Sequence, residues 1–553
     1  MKDTPSTSIE ITVLTKQGGP LTKRISLAQD GTVKADGSAC IMTQGDAHRL
    51  HIAGVAELAT TISQLDSTQA IALGALRAGL PDQVKVVTKS KLNGAVNVIA
   101  RTSDHIKYQN GRPAFVLLDF DTKGMPPDVA ARLKNLGGFW AALVTVLPEL
   151  SDVAHIIRRS TSAGLMRLDT GEEITGSSGL HGYVVIINGA DAERFLATLH
   201  ARCCLHGLGW YMVGVAGQLL ERGIVDRMVG APERLVFEAA PVIEPPLVQD
   251  IESRRPVITD GNILDLDTVA ACPPLTVIEK AALNKLRAQA SQRLIPERTR
   301  ARQRFVDEQS EKLAKRAGVS KEAAARVIQK QCNGILLPDV ALVLDDRTII
   351  TVADVLADPA KYEGHTLADP LEGVEYGRAT AKILRRADGT PWIRSFAHGL
   401  THYTLKHDAR AVRAAIAKAS NPIDTFVELA LLADLDEVEI KQIIDELAKQ
   451  TGVGIRAITA KLKSSKAEQA RQRAKDMRDR RLAESDDARP SLDRFSDDAP
   501  WLPPMSVIVE VLKLAPKPRQ PRRSFNGIGA VKRRCCVPSS HAFTTSNEEE
   551  DHD

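Results

Sequence analysis

The chain has 553 residues, of which 43% are hydrophobic and 4% aromatic, and its formal net charge is +4 at pH 7. This length predicts two to four domains, because one hydrophobic core rarely serves more than about 250–300 residues. No uninterrupted apolar stretch approaches the ~18 residues that a membrane-spanning helix needs, and the polar start Met1–Thr4 is unlike a signal peptide. We therefore expect a cytoplasmic protein with no membrane partner. The low aromatic content argues against base recognition by broad aromatic platforms.

The first half of the chain alternates between two kinds of pattern. Residues 1–34 are expected to form a short β-hairpin or a poorly tied N-terminal β arm. From about residue 35 to 255, helix-like and strand-like segments follow each other, and this predicts an α+β core with a mixed sheet. Within that core the pattern indicates helices that include residues 196–201 and 217–222.

One apolar run in this core carries two acids at its end. Residues 115–118 read as a buried strand, and Asp119 and Asp121 follow at positions i and i+2. Side chains alternate along a strand, so the two carboxylates would share one face. Neighbouring carboxylates repel each other unless a cation neutralises them, and hard oxygen ligands suit Mg²⁺ or Mn²⁺. Two further Asp-x-Asp pairs, at 265/267 and 434/436, are interpreted as ordinary surface acids.

A glycine- and serine-rich segment precedes a second apolar strand. Residues 176–181, Gly-Ser-Ser-Gly-Leu-His, lead into the apolar run 182–187. Backbone N–H groups in such a turn can hold phosphate oxygens, and serine and histidine side chains add donors. Farther along, Asp226 ends the short apolar stretch 224–225. Three acids with a Ser/Gly/His loop between them are typical of metal-assisted phosphoryl or nucleotidyl transfer.

In this order the motifs resemble the archaeo-eukaryotic primase superfamily, most closely the bifunctional primase–polymerase domains of plasmids, phages and integrative elements. The resemblance covers roughly residues 35–255. Its most specific pieces are Leu117–Asp121, Arg159–Gly164, Gly176–Tyr183, Val225–Arg227 and Glu233–Glu238.

The resemblance implies a reaction and a set of site residues. Asp119, Asp121 and Asp226 would be the catalytic residues and would hold Mg²⁺ or Mn²⁺, with carboxylates close enough to share one or two ions. Single-stranded DNA would be the template, and nucleoside triphosphates would be the substrates. The residues expected to contact the incoming nucleotide are Arg159, Ser160, Ser162, Ser177, Ser178, His181 and Arg234.

Two features differ from the pattern of that family. Many relatives carry a Lys or Arg in the Ser-Gly-His loop, which has none here, and residues 214–217 also lack the expected basic residue. We therefore expect triphosphate contacts from Arg158, Arg159 or Arg234. The same departure supports a second hypothesis, a non-catalytic replication initiator or helicase-loading DNA-binding protein that retains the primase fold. The three retained acids favour the enzyme. A repair nucleotidyltransferase would need a partner domain that the sequence does not show.

Beyond residue 255 the composition predicts four more segments. They are a helical linker at 256–333, a small α/β accessory module at 334–415, a helical basic segment at 416–485 and a largely disordered tail at 486–553. No Walker A sequence occurs, so the sequence contains no P-loop ATPase. Relatives often continue into a superfamily-3-type helicase, and the resemblance therefore implies a helicase that is lost or separately encoded.

Basic residues are concentrated in two helical stretches. Residues 296–330 hold ten Lys or Arg against five Asp or Glu, and residues 456–481 hold ten against three. Such a stretch is either a solvated helical face or a surface that binds a polyanion. We place the DNA-binding residues in the second stretch, at Arg471, Arg473 and Lys475.

The seven cysteines contain no C-x-x-C pair. His200, Cys203, Cys204 and His206 lie close together in sequence, and this allows a zinc site. Buried reduced thiols are the simpler interpretation for a cytosolic protein.

Overall fold

The computed structural model describes residues 8–28, 31–92, 94–174, 178–386, 388–397 and 400–487. By contact density the chain divides into two compact units, Met1–Glu468 and Gln469–Asp553. The first unit combines helices with mixed and antiparallel sheets. The predicted α+β fold class is therefore confirmed.

The first sheet has five strands in the order β5-β1-β4-β7-β8. Strand β1 lies between β4 and β5, and only the β7–β8 pair is parallel. The bounds of this part of the chain are β1 Ile9–Lys16, β2 Arg24–Leu27, β3 Val33–Asp36, β4 Gln44–Ile52, α1 Val55–Gln64, β5 Gln69–Ala72, β6 Ala75–Leu76, β7 Gln83–Val87, β8 Val98–Ala100 and β9 Ile106–Lys107.

The second sheet has four antiparallel strands in the order β10-β13-β11-β18. The bounds of this part are β10 Ala114–Phe120, α2 Pro127–Asn135, α3 Phe139–Val146, β11 His155–Arg159, β12 Leu165–Arg167, β13 Leu180–Ile186, α4 Ala192–Leu205, β14 Gly209–Val213, β15 Leu219–Gly223, β16 Val242–Ile243, β17 Leu247–Gln249 and β18 Val257–Thr259. Strands β10 and β13 are almost entirely buried, as expected from their continuous apolar runs. Together with α1, α3 and α4 they form the largest hydrophobic core of the protein.

The N-terminal segment is not a loose arm, and its first two strands do not pair with each other as a hairpin. β1 pairs with β4 and β5, whereas β2 pairs with β3 and with β16. Ile11 and Val13 belong to the main core, and Leu14 belongs to a second core on the other side of the strand. The strand is therefore buried on both faces, which an isolated arm could not achieve. The apolar pattern identified which residues form the strand, but its pairing with residues 44–52 determines its position in the sheet.

Residues 217–222 were expected to be helical and instead form the hairpin of β14 and β15. The turn of that hairpin contains Gly217 in the left-handed region, with φ of +74°, and its N–H bonds the carbonyl of Gly214. Cross-strand pairing overrides the local helical preference here. The start of the predicted linker is also wrong, because β18 at 257–259 is an edge strand of the core sheet, paired with β11.

The linker is helical from residue 268 and leads into the accessory module. Pro296 lies in the first turn of α7, as expected from its tolerance there. The bounds of these elements are α5 Thr268–Ala271, α6 Val277–Arg293, α7 Ile295–Ala317, α8 Lys321–Cys332, β19 Ile335–Leu336, β20 Ala341–Val343, β21 Ile349–Thr351, α9 Val352–Ala357, α10 Pro359–Tyr362, β22 Thr366–Leu367, α11 Gly373–Tyr376, β23 Ala381–Arg385, β24 Pro391–Ser395 and β25 His402–Leu405.

The last described elements are all helices: α12 Ala409–Ile416, α13 Pro422–Leu432, α14 Glu437–Thr451 and α15 Ile455–Asp487. Helices α12 to α14 and the start of α15 share a small apolar core of their own. Among the described residues, no helix combines the length and the hydropathy that crossing a bilayer would require. The predicted tail lies outside the described residues from position 488 onward.

Candidate metal and nucleotide site

The register of the four-stranded sheet aligns three predicted residues across neighbouring strands. Asp119 on β10 pairs with His181 on β13, and His181 pairs in turn with Arg158 on β11. Residues directly opposite each other on antiparallel strands point to the same face. The end of β10 therefore presents a row of acid, histidine and arginine on one face of the sheet.

Asp119 and Asp226 meet through the backbone. The N–H of Asp226 donates to the carbonyl of Asp119 at 2.9 Å, so the third acid of the sequence lies beside the end of β10. Burial raises the pKa of Asp119; His181 and Arg234 oppose this rise, and the neighbouring carboxylates of Asp226 and Asp121 add to it. These five groups are therefore close enough to influence one another electrostatically.

The carboxylates of Asp121 and Asp226 are each used in a local turn. Asp121 is exposed just past β10 and accepts the N–H of Lys123 at 2.9 Å. Asp226 caps a single 3-10 turn and accepts the N–H of Met228 at 2.8 Å. In the part of the chain that the structure describes, the ligand atoms of Asp119, Asp121 and Asp226 do not all lie within 4.8 Å of one another. The expectation that the three carboxylates lie close enough to share one or two cations therefore stays a prediction.

The donor set still fits a hard divalent cation. Each of the three acids offers carboxylate oxygens, which Mg²⁺ and Mn²⁺ prefer. Burial, together with the like charges of Asp226 and Asp121, raises the pKa of Asp119, and a bound cation would offset both effects. The side chain of Asp119 is 29% exposed, so a cation could reach it from solvent.

His181 is fixed by a buried carboxylate. Its Nδ1 forms a short contact with an oxygen of Glu238, whose side chain is fully buried, and its Nε2 lies 3.7 Å from Asp119. The same carboxylate accepts from the guanidinium of Arg158 at 2.9 Å and from the hydroxyl of Tyr183 at 2.5 Å. The imidazole is therefore held with Nε2 facing the acids.

The charges of this buried group balance one another. Burial alone would raise the pKa of Glu238, but His181, Arg158 and Tyr183 outweigh it and lower the pKa to about 2. Burial tends to lower the pKa of His181, but Glu238 and Asp119 raise it above its usual value. Arg254 completes the arrangement by donating to the backbone carbonyl of Glu238 at 3.1 Å. This cluster of Glu238, Arg158, His181 and Tyr183 is called the Glu238 hub below.

Arg158 was one of three arginines named as alternatives for contact with a triphosphate, and its side chain is bound elsewhere in this structure. Its side chain is only 8% exposed and is bound to Glu238 and to the carbonyls of Arg254 and Ile62. Alternation along β11 turns the neighbouring Arg159 outward, where it is exposed. Arg234 is also exposed; it donates to the carbonyl of Met228 and acts electrostatically on Asp119.

The predicted serines lie around the same strand ends. Ser178 is exposed and its hydroxyl bonds the hydroxyl of Thr122, next to Asp121, at 2.7 Å. Ser160 bonds the carbonyl of Gly179 through its backbone N–H at 2.9 Å, and Ser162 is half-buried in the following turn. Ser177 lies outside the described residues. The loop before β13 therefore contacts the segment just past β10 that carries Asp121.

The three residues predicted to bind DNA lie on α15, in the second unit. Arg471 and Lys475 are exposed on this helix, and the side chain of Arg473 is outside the described part of the structure. The structure shows that this segment is helical, and DNA binding by its basic residues stays a prediction.

A second cluster of potential ligands lies on α4 and β15. Ligand atoms of His200, Cys204 and Glu221 all lie within 4.8 Å of one another, and all three residues are buried, so the group could hold a metal ion. Two arginines compete for the same carboxylate: Arg287 donates to Glu221 at 2.6 and 3.0 Å, and Arg227 at 3.1 Å. These guanidinium groups already neutralise the carboxylate.

The predicted clustering of His200, Cys203, Cys204 and His206 is realised only in part. Cys203 is buried in the main core and His206 is exposed. His200 has a structural role that the sequence did not reveal, because its Nδ1 bonds the carbonyl of Val225 at 2.8 Å. That contact fixes the residue immediately before Asp226.

Glu238 is the main site residue that sequence reasoning left without a role. The sequence does contain a sign of this role, because a carboxylate within the apolar run 235–240 is uncommon unless it is paired. Its partners come from strands far away in sequence, and no local pattern identifies them. Comparison with family models, curated proteins and solved structures finds no match to this chain.

Proposed function

We propose that the chain is a metal-dependent nucleotidyltransferase, specifically a DNA primase–polymerase of a mobile genetic element that makes or extends primers on single-stranded DNA. The observation that carries this proposal is the pairing of Asp119 with His181 across two strands, with Asp226 bonded to the same strand end. Three acids and an oriented imidazole near the ends of neighbouring strands suit phosphoryl-transfer chemistry.

Each part of the site has a role in this proposal. Asp119, Asp121 and Asp226 would hold Mg²⁺ or Mn²⁺, and such an ion supplies a lowered pKa of the attacking hydroxyl and charge neutralisation on the phosphates. His181, oriented by Glu238, places its Nε2 toward the acids and donates to a phosphate oxygen without acting as a nucleophile. Arg234 and Arg159, both exposed, supply the positive charge that the Ser-Gly-His loop lacks.

The competing proposal is a non-catalytic replication initiator or helicase-loading protein that binds DNA with the same fold. Its support is the absence of Lys and Arg from the loop at 176–181. Against it stands the electrostatic cost of the acids: burial and like charges raise the pKa of Asp119, and a protein that only binds DNA gains nothing from carboxylates that repel its ligand.

Primer synthesis on single-stranded DNA with labelled nucleotides tests the proposal. Asp119→Asn should abolish incorporation while leaving the melting temperature unchanged or slightly higher, because the substitution removes a carboxylate whose ionisation is opposed by burial. Asp265→Asn is the matched control, since Asp265 belongs to an Asp-x-Asp pair and is exposed. Wild-type incorporation by the Asp119→Asn protein would rule out the proposed mechanism, and an inactive wild-type protein that binds DNA would favour the non-catalytic alternative.

A further inference from the structure

The accessory module contains a five-stranded sheet whose two faces are very different. The strand order is β19-β25-β24-β23-β22. On one face Ile383, Ile393 and Tyr403 pair across neighbouring strands and are buried in the core that also includes residues of α7 and α8. Helices α7 and α8 therefore pack on this face.

The opposite face displays two rows of side chains that the strand register defines. One row consists of Thr366, Lys382, Arg394 and His402. The adjacent row consists of Leu384, Trp392, Thr404 and Ile335. Because side chains alternate along each strand, Phe396 also lies on this face, two residues beyond Arg394. Basic and aromatic residues are thus interleaved on one surface, which we call the basic–aromatic face.

This face is open to solvent. Arg394 and His402 are exposed, and Lys382, Trp392 and Phe396 are half-buried. The ring of Trp392 stacks on His402 with centroids 4.7 Å apart, and the guanidinium of Arg394 lies 5.6 Å from the centre of the Phe396 ring. These contacts hold flat rings and positive charges side by side without burying them.

The charge of the face is positive. Its described strand positions carry Lys382 and Arg394 and no carboxylate, and Arg386 adds a guanidinium through its contact with His402 at 3.3 Å. The acid that reaches its edge is Asp345, which accepts the hydroxyl of Thr366 on β22. A polyanion is therefore the complementary ligand.

A cavity of about 330 Å³ lies between this face and the segment that carries Arg234. Lys382, Arg394 and Phe396 line one side, and Met228 and Arg234 are among the residues that line the other. Arg234 also acts electrostatically on Asp119. Several acids line the same cavity. Burial lowers the pKa of the Arg101 guanidinium, and two of these acids, Glu233 and Asp345, offset only part of that decrease.

We propose that the basic–aromatic face binds single-stranded DNA, with phosphates on Lys382 and Arg394 and a base stacked on Phe396, and guides the strand through the cavity toward Asp119. Stacking on aromatic rings flanked by cations is how proteins bind single strands, whose bases are free to stack. Only one aromatic residue, Phe396, is needed here, so the low aromatic content of the whole chain does not oppose the proposal. The proposal deepens the proposed function, since the strand would be its template.

The test uses the full chain and a fluorescein-labelled oligothymidylate, with affinity measured by anisotropy over a range of salt concentrations. The double variant Lys382→Gln, Arg394→Gln should bind more weakly and flatten the slope of log K against log[salt] by roughly 0.7 for each phosphate that the protein no longer neutralises. Phe396→Leu should weaken binding about fivefold or more with an unchanged slope, because stacking is not an ionic contact. The control Lys441→Gln, Lys449→Gln removes the same charge from exposed positions on α14 and should change neither quantity.

The outcomes separate this inference from the proposed function. An affinity and a slope for the Lys382/Arg394 variant that match the control would overturn the inference even if the wild-type protein synthesises primers. Equal losses on duplex DNA would overturn it as well, because a paired base cannot stack on Phe396. Weakened binding in a protein that never incorporates nucleotides would support the binding face and contradict the primase proposal. Thermal melting of every variant checks that it is folded.

Discussion

Removal of the negative charge from the Glu238 hub should destabilise the core sheet strongly. Glu238→Gln keeps the size of the side chain but leaves Arg158, which is 8% exposed, without a buried counter-charge. Breaking a buried ion pair by removing one partner costs about 3–5 kcal/mol. The pKa of Glu238 gives a similar figure, because its decrease from 4.5 to about 2 corresponds to about 3 kcal/mol at 1.36 kcal/mol per pKa unit.

The sign of the pH dependence follows from the lowered pKa. The stabilisation from Glu238 is present above the pKa of the unfolded chain, 4.5, and is lost as the pH falls toward about 2. The wild-type core sheet should therefore lose stability between about pH 5 and pH 2. Glu238→Gln should lose much less over the same interval, since it has no carboxylate at this position to protonate.

Hydrogen–deuterium exchange of peptides from β11 and β13 is the appropriate measurement, because a chain with several cores does not unfold in one step. The control Glu244→Gln removes an exposed partner of Arg24, 45% and 49% exposed respectively, and should change the opening free energy by less than about 1 kcal/mol. Adding Arg158→Met to Glu238→Gln should recover part of the loss. A Glu238→Gln protein whose β11 and β13 amides exchange at the wild-type rate would refute the assignment of this hub.

Two further predictions concern other parts of the chain. Charge reversal at Arg471, Arg473 and Lys475 should weaken single-stranded DNA binding at all sequences. It should also flatten the slope of log K against log[salt] by roughly 0.7 for each phosphate that the helix no longer neutralises. A salt titration unchanged from wild type would mean that this helix is only solvated. Burial and the charge of Asp369 raise the pKa of Glu372 to about 7. The stabilisation from protonated Glu372 is therefore present below pH 4.5 and is lost as the pH rises through 7. Glu372→Gln should remove that decline in a thermal-melting series, and an identical decline in the variant would contradict the shifted pKa.

The strands that carry the candidate site were predictable from the sequence because their apolar runs are long and continuous. The runs at 115–118 and 182–187 correspond to β10 and β13. These features depend on neighbours in sequence, and local propensity and periodicity describe such neighbours well.

The failures have a common physical cause, which is pairing between distant segments. β1 carries a strand pattern, but its burial on both faces follows from β4 and β5 rather than from its own residues. Arg158 and Arg159 are adjacent, and only the geometry of the sheet decides that one is buried in an ion pair and the other exposed. A sequence shows which residues are able to pair, whereas the choice among partners is made by the packed sheet.

The Glu238 hub also has a consequence for the order in which the chain is synthesised. Glu238 lies 80 residues after Arg158, 57 after His181 and 55 after Tyr183. A ribosome therefore releases all three partners well before the carboxylate that neutralises and orients them. Until then β11 and β13 would bury a guanidinium without its counter-charge, which disfavours their closure. The sheet should consequently close late during translation, and a nascent chain stalled before residue 238 should remain sensitive to proteases across β10 to β13.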